Sequence, residues 1–92
     1  MEKYKLTDET VEIDGHTLHR ICALKAFKDV NPGELGGFVE TEENLSQDGD
    51  AWVCGDALVF GDARVYGDAR VYGAARVYGD ARVYGGAWVY GD

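Results

Sequence analysis

Residues 39–92 read VETEEN, LSQDGD, AWVCGD, ALVFGD, ARVYGD, ARVYGA, ARVYGD, ARVYGG and AWVYGD, nine units of six in what reads as an unbroken register. A period of six sustained over this length predicts a parallel β-helix, in which each short strand and its turn form one side of a coil and successive coils stack. Within a unit, positions one and three, usually Ala and Val, point the same way on a strand and must line the interior. Val packs there, Ala fits where the chain bends inward, and Gly at position five gives a tight corner its backbone freedom. Asp at position six can bond to backbone donors of that corner. The reading predicts burial of Ala57, Val59, Ala63, Val65, Ala69, Val71, Ala75, Val77, Ala81 and Val83.

Positions two and four then face outward, and they hold the large residues: Arg64, Arg70, Arg76 and Arg82, Trp52 and Trp88, and Tyr66, Tyr72, Tyr78, Tyr84 and Tyr90. The aliphatic-then-small spacing of Val53 to Ala57, Val59 to Ala63 and Val65 to Ala69 resembles the hexapeptide repeat of left-handed β-helices. That resemblance implies a triangular prism with three hexads per coil, so that nine hexads make about three coils. The expected fold is all-β, a short left-handed parallel β-helix with an N-terminal β-hairpin cap. Residues eighteen apart should then stack at the strand spacing of roughly 4.8 Å. One face would carry Glu40, Leu58 and Arg76 beside Glu42, Phe60 and Tyr78, and a second Ser46, Arg64 and Arg82 beside Asp48, Tyr66 and Tyr84. The third would carry Trp52, Arg70 and Trp88 beside Cys54, Tyr72 and Tyr90. An Arg between two Trp rings with Tyr alongside is typical of interface anchors, so Trp52, Arg70, Tyr72, Trp88 and Tyr90 are the expected oligomer interface.

Residues 1–38 do not repeat and read as a capping segment, leaving 39–92 as the β-helix. Val11-Glu12-Ile13, Asp14-Gly15 and His16-Thr17-Leu18-His19-Arg20-Ile21 form a hairpin signal, because Asp-Gly favours the primed turn that joins twisted strands. Asn31-Pro32-Gly33 predicts a turn, and Gly36-Gly37 admits the chain to the first coil. The repeat continues at full strength to Tyr90-Gly91-Asp92, which suggests an open strand edge there and assembly as a trimer or an end-to-end dimer. The resemblance to left-handed β-helix proteins implies the same, with ligands in clefts between prisms.

The 92 residues suffice for one domain with a slender core, and domains this small often gain stability from oligomerisation. Two cysteines, Cys22 and Cys54, no secretory apolar segment and no apolar run of spanning length point to a reduced cytoplasmic setting and no membrane role. The net charge of −8 divides as −2 over residues 1–38 and −6 over 39–92. Such a surface opposes direct binding to a nucleic-acid backbone and suits a basic protein surface. KLTDETVEIDGHTLHRICAL at 5–24, NPGELGGFVETEENLS at 31–46 and the following GDARVYG run together resemble small proteins encoded in bacteriophages and prophages, over the whole chain.

His16, His19 and Cys22 form H-x-x-H-x-x-C, but on a strand that spacing sends the two imidazoles to opposite faces, so no metal is expected. Gly33-Glu34-Leu35-Gly36-Gly37 lacks the following Lys and Ser or Thr of a phosphate loop and reads as a turn. No cofactor is implied, and no catalytic residue is assigned. Hexapeptide-repeat acyltransferases, which the chain resembles in its repeat, use a histidine near the inter-prism cleft; neither histidine here lies in a hexad. The Arg and Tyr columns admit two readings, a β-propensity surface laced with weak ion pairs, or recognition. For recognition, Arg64 and Arg82 would grip phosphate and Tyr66 and Tyr84 would stack on a base. The favoured function is non-enzymatic: a phage-encoded protein that sequesters or blocks a host defence component, either a nucleotide signal or a basic host protein. A small acyl or nucleotidyl transferase and a structural assembly module are the competing classes.

Overall fold

The computed structural model describes residues 2–91, so Met1 and Asp92, the outer ends of the two expected segments, lie outside the described residues. The strands are β1 (Tyr4–Ile13), β2 (His16–Ala23), β3 (Leu35–Val39), β4 (Trp52–Val53), β5 (Leu58–Val59), β6 (Arg64–Val65), β7 (Arg70–Gly73), β8 (Arg76–Val77), β9 (Arg82–Val83) and β10 (Trp88–Gly91), with a 3-10 turn at Glu42–Asn44. Among the described residues there is no α-helix, and none is long and apolar enough to cross a membrane. From β3 onward all pairing is parallel: β3, β5 and β8 form one face, β6 and β9 a second, and β4, β7 and β10 the third. The chain is an all-β solenoid of about three coils.

The strands are short because each coil must turn three corners, and the corner glycines, from Gly49 at φ 76° to Gly85 at φ 62°, sit in the left-handed region that a side chain resists. Valines fill the interior. Val53, Val59, Val65 and Val71 are fully enclosed, and Ala57, Ala63 and Ala69 pack between them. The expected burial of Ala81 does not occur: it is exposed, because it lies in the last described coil, with no described strand beneath it.

The register differs from the sequence reading in the first coil. Val53 lies beside Val71, eighteen residues on, but Val39 lies beside Val59 and Leu45 beside Val65, each twenty residues on. The first coil therefore holds two residues more than the others. The unbroken phase fails at residues 39–50, and the columns become Phe38, Leu58 and Arg76, with Glu40 beside Phe60 rather than Leu58. Likewise Asn44 and Ser46, not Ser46 and Asp48, precede Arg64 and Tyr66. The cause is a widened corner at residues 46–50 that accepts the N-terminal strand. Lys3 Nζ donates to Ala51 O at 2.7 Å, and Gln47 Oε1 accepts from Lys3 N at 2.7 Å. Asn44 stands in for a strand: its Oδ1 accepts from Thr41 N at 2.8 Å and its Nδ2 donates to Ala63 O at 2.9 Å.

Asp14 (φ 50°) and Gly15 (φ 82°) close the β1–β2 hairpin with the primed geometry expected of Asp-Gly. β2 pairs antiparallel with β3, so the hairpin continues the first face and occupies the edge of β3. The expected division at 38/39 falls inside β3. The hairpin also leans over the outside of that face, where Leu18, Phe38 and Phe60 form a second apolar cluster with Val11, Ile13 and Leu58. Tyr4 and Phe27 come down on the third face and enclose Trp52 at ring-centroid distances of 6.3 and 5.3 Å, both edge-on. Trp52, expected on an exposed interface, is therefore 1% exposed and belongs to the core.

Candidate functional site

The third face carries a cleft between a turn and the coil. Beyond β2 the chain makes a tight turn in which Phe27 and Val30 exchange backbone hydrogen bonds at 3.1 and 2.8 Å. Burial of Phe27 and Val30 against the coil anchors that turn and projects its two central residues, Lys28 and Asp29, over β7. Lys28 is held at φ 46°, a strained conformation for a residue with a side chain. The cleft between turn and coil has a volume of about 480 Å³ and is lined by Lys28, Asp29, Cys54, Arg70, Tyr72 and Trp88. That size falls in the range of roughly 300–1,000 Å³ usual for small-molecule sites.

Its chemistry is an aromatic wall beside two cations. Arg70 is mostly covered, and its Nη2 donates to Asp29 Oδ1 at 2.6 Å, a hydrogen bond that holds the Asp29 carboxyl below its ordinary range. Trp88 is 68% exposed and meets Tyr72 edge-on at 6.3 Å, while Tyr72 stacks on Tyr90 at 5.3 Å. Burial pushes the Cys54 thiol above its ordinary range. Of the five residues expected at an interface, the fold brings Arg70, Tyr72, Trp88 and Tyr90 together and removes Trp52.

The second face arranges Arg64, Tyr66, Arg82 and Tyr84 differently from a stacking site. Tyr66 and Tyr84 stack on each other, 5.4 Å apart and 12° from parallel, so the ring faces between them are occupied. The adjoining cleft of about 300 Å³ includes Glu42 and Glu43 with Arg64 and Tyr66. A phosphate there would meet two carboxylates. Arg82 Nη1 lies 3.4 Å from Asp62 O.

On the first face, His16 Nδ1 lies 2.8 Å from Glu40 Oε2, and Glu40 Oε1 accepts from Gly61 N at 2.9 Å. These bonds, His16 first, hold the Glu40 carboxyl below its ordinary range. The imidazole tilts over Phe60 at 5.1 Å, and Phe60 stacks on Tyr78. His19 Nδ1 instead meets Thr7 O at 3.0 Å, so the two histidines are engaged separately. Among the described residues no group of three or more His, Cys, Asp or Glu is placed to hold a metal ion.

Sequence reasoning placed Cys54 on the third face beside Tyr72 and Tyr90, but it missed Lys28 and Asp29 as cleft residues and His16–Glu40 as a pair. Nothing in the linear pattern signals the former, because a non-repeating turn must be folded onto a face before its residues acquire neighbours. The latter was hidden by the two extra residues that place Glu40 beside Phe60.

The family described as YdcK Beta solenoid repeat matches residues 63–77 and 75–91. The chain is similar to a protein of Escherichia coli (strain K12) named Uncharacterized acetyltransferase YdcK, with 34% identity over an alignment of 61 positions that covers 58% of this chain. The chain spans 19% of that relative's length. Both likenesses fit the hexapeptide-type β-solenoid described above.

Proposed function

We propose that this chain is a left-handed β-solenoid binding module that captures an aromatic anion, of the nucleotide class, in the third-face cleft without turning it over. The observation that carries the reading is the convergence of Arg70, Lys28 and the exposed Trp88 ring on one cavity. A guanidinium and an ammonium suit phosphate, and an open indole face suits a base. Asp29 occupies Arg70 in the free protein, so a bound phosphate would displace it or share the guanidinium fork. In an oligomer, a neighbouring prism against Trp88 and Tyr90 would close the cleft. A phage or prophage protein with this property would act in the cytoplasm of an infected bacterium by withholding a nucleotide defence signal.

Thermal shift with cyclic dinucleotides and ADP-ribose-type nucleotides tests the reading, since a captured ligand raises the melting temperature. Calorimetry should then show Arg70→Ala losing about tenfold or more in affinity, as charge-assisted contacts of roughly 1.5–3 kcal/mol imply. Ligand recovered after denaturation should have its original mass. Loss of binding in Arg82→Ala but not in Arg70→Ala would move the site to the second face, with Arg64, Tyr66 and Tyr84; no stabilisation by any nucleotide would end the nucleotide reading.

A second reading, an acyl or nucleotidyl transferase, draws on the name of the Escherichia coli relative and on the His16–Glu40 pair. A carboxylate on Nδ1 orients an imidazole as a proton acceptor. Against it, none of the clefts described above is lined by His16. Release of free coenzyme A from acetyl-coenzyme A in the presence of an amine acceptor, abolished by His16→Ala, would favour this reading over capture.

A further inference from the structure

β1 is the terminal strand of the five-stranded sheet, and its two halves treat their open edge differently. At its start, the side chain of Gln47 takes the place of a neighbouring strand: Oε1 accepts from Tyr4 N at 3.3 Å and Nε2 donates to Tyr4 O at 3.3 Å. A bulge between Leu6 and Thr10 then interrupts the ladder. From Thr10 to Ile13 the strand is regular and paired only with β2 among the described residues. In a ladder closing on a two-residue turn, Ile13 and His16 exchange hydrogen bonds, so the backbone groups of Glu12 and Thr10 point outward, away from β2. Natural edges are usually blunted by charged side chains, lysine above all, by proline or by a bulge. This half of β1 carries one charge, Glu12, and has no lysine, proline or bulge.

Beneath the open edge lies a groove of about 590 Å³ between the hairpin and the outer surface of the first face. Phe38 and Leu58 form its floor, Val11 and Ile13 its wall, and Glu12 and Asp56 its acidic rim. Arg20, which lines the groove too, is already engaged: its Nε meets Glu9 Oε2 at 3.0 Å, its Nη1 donates to Gly36 O at 2.7 Å, its Nη2 lies 4.0 Å from the exposed Asp56 Oδ1, and its guanidinium lies over the Phe38 ring. Arg76 closes one end.

We infer that the Thr10–Ile13 edge and this groove form a strand-addition site for an extended, basic segment of a partner protein, one that alternates Lys or Arg with apolar residues. The backbone donors and acceptors of Thr10 and Glu12 would pair with the incoming strand, its apolar side chains would settle on Leu58 beside Val11 and Ile13, and its cations would face Glu12 and Asp56. Charge chooses this occupant over a second copy of the chain. An antiparallel pairing of two β1 strands would bring Asp8, Glu9 and Glu12 of one against the same residues of the other, and like charges directly opposite destabilise a sheet. The site is separate from the third-face cleft and stands whether or not that cleft binds a nucleotide.

The test uses the full chain and two end-blocked peptides, one alternating lysine with valine and one alternating glutamate with valine. Amide NMR with the lysine peptide should shift Thr10 to Ile13 and Leu58 and slow hydrogen exchange at Thr10 and Glu12, with affinity falling as salt rises. Glu12→Pro removes an outward donor that β2 does not use, so the hairpin is retained while binding weakens by about tenfold or more. Glu12→Lys, which keeps the donor and reverses the charge, should weaken the lysine peptide and admit the glutamate peptide. Equal binding of both peptides to the unsubstituted chain, shifts spread over the acidic corners at Asp62, Asp68 and Asp80, or exchange at Thr10 and Glu12 unchanged by peptide would each overturn the inference.

Discussion

Two glycines show how differently one residue type is used. Gly79 has φ 66° and open space where a Cβ would stand, so Gly79→Ala meets only backbone strain, about 1–2 kcal/mol. Gly36 has no such φ, but an added Cβ would press on Val53 O and lie 2.7 Å from Ile21 Cγ1 and 2.8 Å from Trp52 Cζ2. It marks the place where β3 passes between the hairpin and the coil with no room for a methyl group. Gly36→Ala should therefore be the more damaging change, by a further ~1–3 kcal/mol, and urea denaturation of the two variants checks the order.

The N-terminal strand is fastened to the coil by Lys3, whose ammonium is fully enclosed, bonds to Ala51 O and lies 5.1 Å from the centroid of the Phe27 ring. Burial lowers its pKa to about 8, with Asp50 acting in the opposite sense. The folded chain thus sheds this proton before the unfolded chain does, near the ordinary lysine value of about 10.4. The cost of enclosing the charge is present below pH 8 and is relieved as pH rises from about 8 toward 10, so Lys3 makes stability increase across that window. Cys54, with a raised pKa, works in the opposite direction. The difference between the unsubstituted chain and Lys3→Met isolates the lysine: the gap in urea midpoint should move in favour of the unsubstituted chain between pH 8 and 10 and stay level between pH 6 and 7.

Over the whole molecule, large exposed aromatics gather toward the last coil, with Tyr78 60%, Tyr84 58%, Trp88 68% and Tyr90 68% exposed. The hairpin and the Phe27–Val30 turn cover the corresponding positions of the first coil. The proposal that the third face near Trp88 and Tyr90 meets another copy of the chain rests on the outward projection of these rings. Light scattering should give a mass above the 10.1 kDa of one chain, and Trp88→Glu, which places a charge in that contact, should lower it. A single-chain mass before any substitution would remove the oligomer from the proposal and leave the cleft open on one side.

The hexad pattern by itself determined the solenoid, the inward Ala and Val columns and the outward Arg and Tyr columns, because a six-residue period with alternating faces leaves one way to bury the valines. Asp14-Gly15 likewise determined the hairpin, since few other dipeptides accept two positive φ values. What the pattern left undecided depends on how a non-repeating segment folds across the repeat. Only the tertiary structure places Val39 beside Val59, setting Glu40 against His16, and only it buries Trp52 and brings Lys28 and Asp29 to Arg70. A repeat is constrained by its own neighbours at a fixed separation, whereas a contact across more than forty residues, such as Asp29 to Arg70, follows from no local spacing.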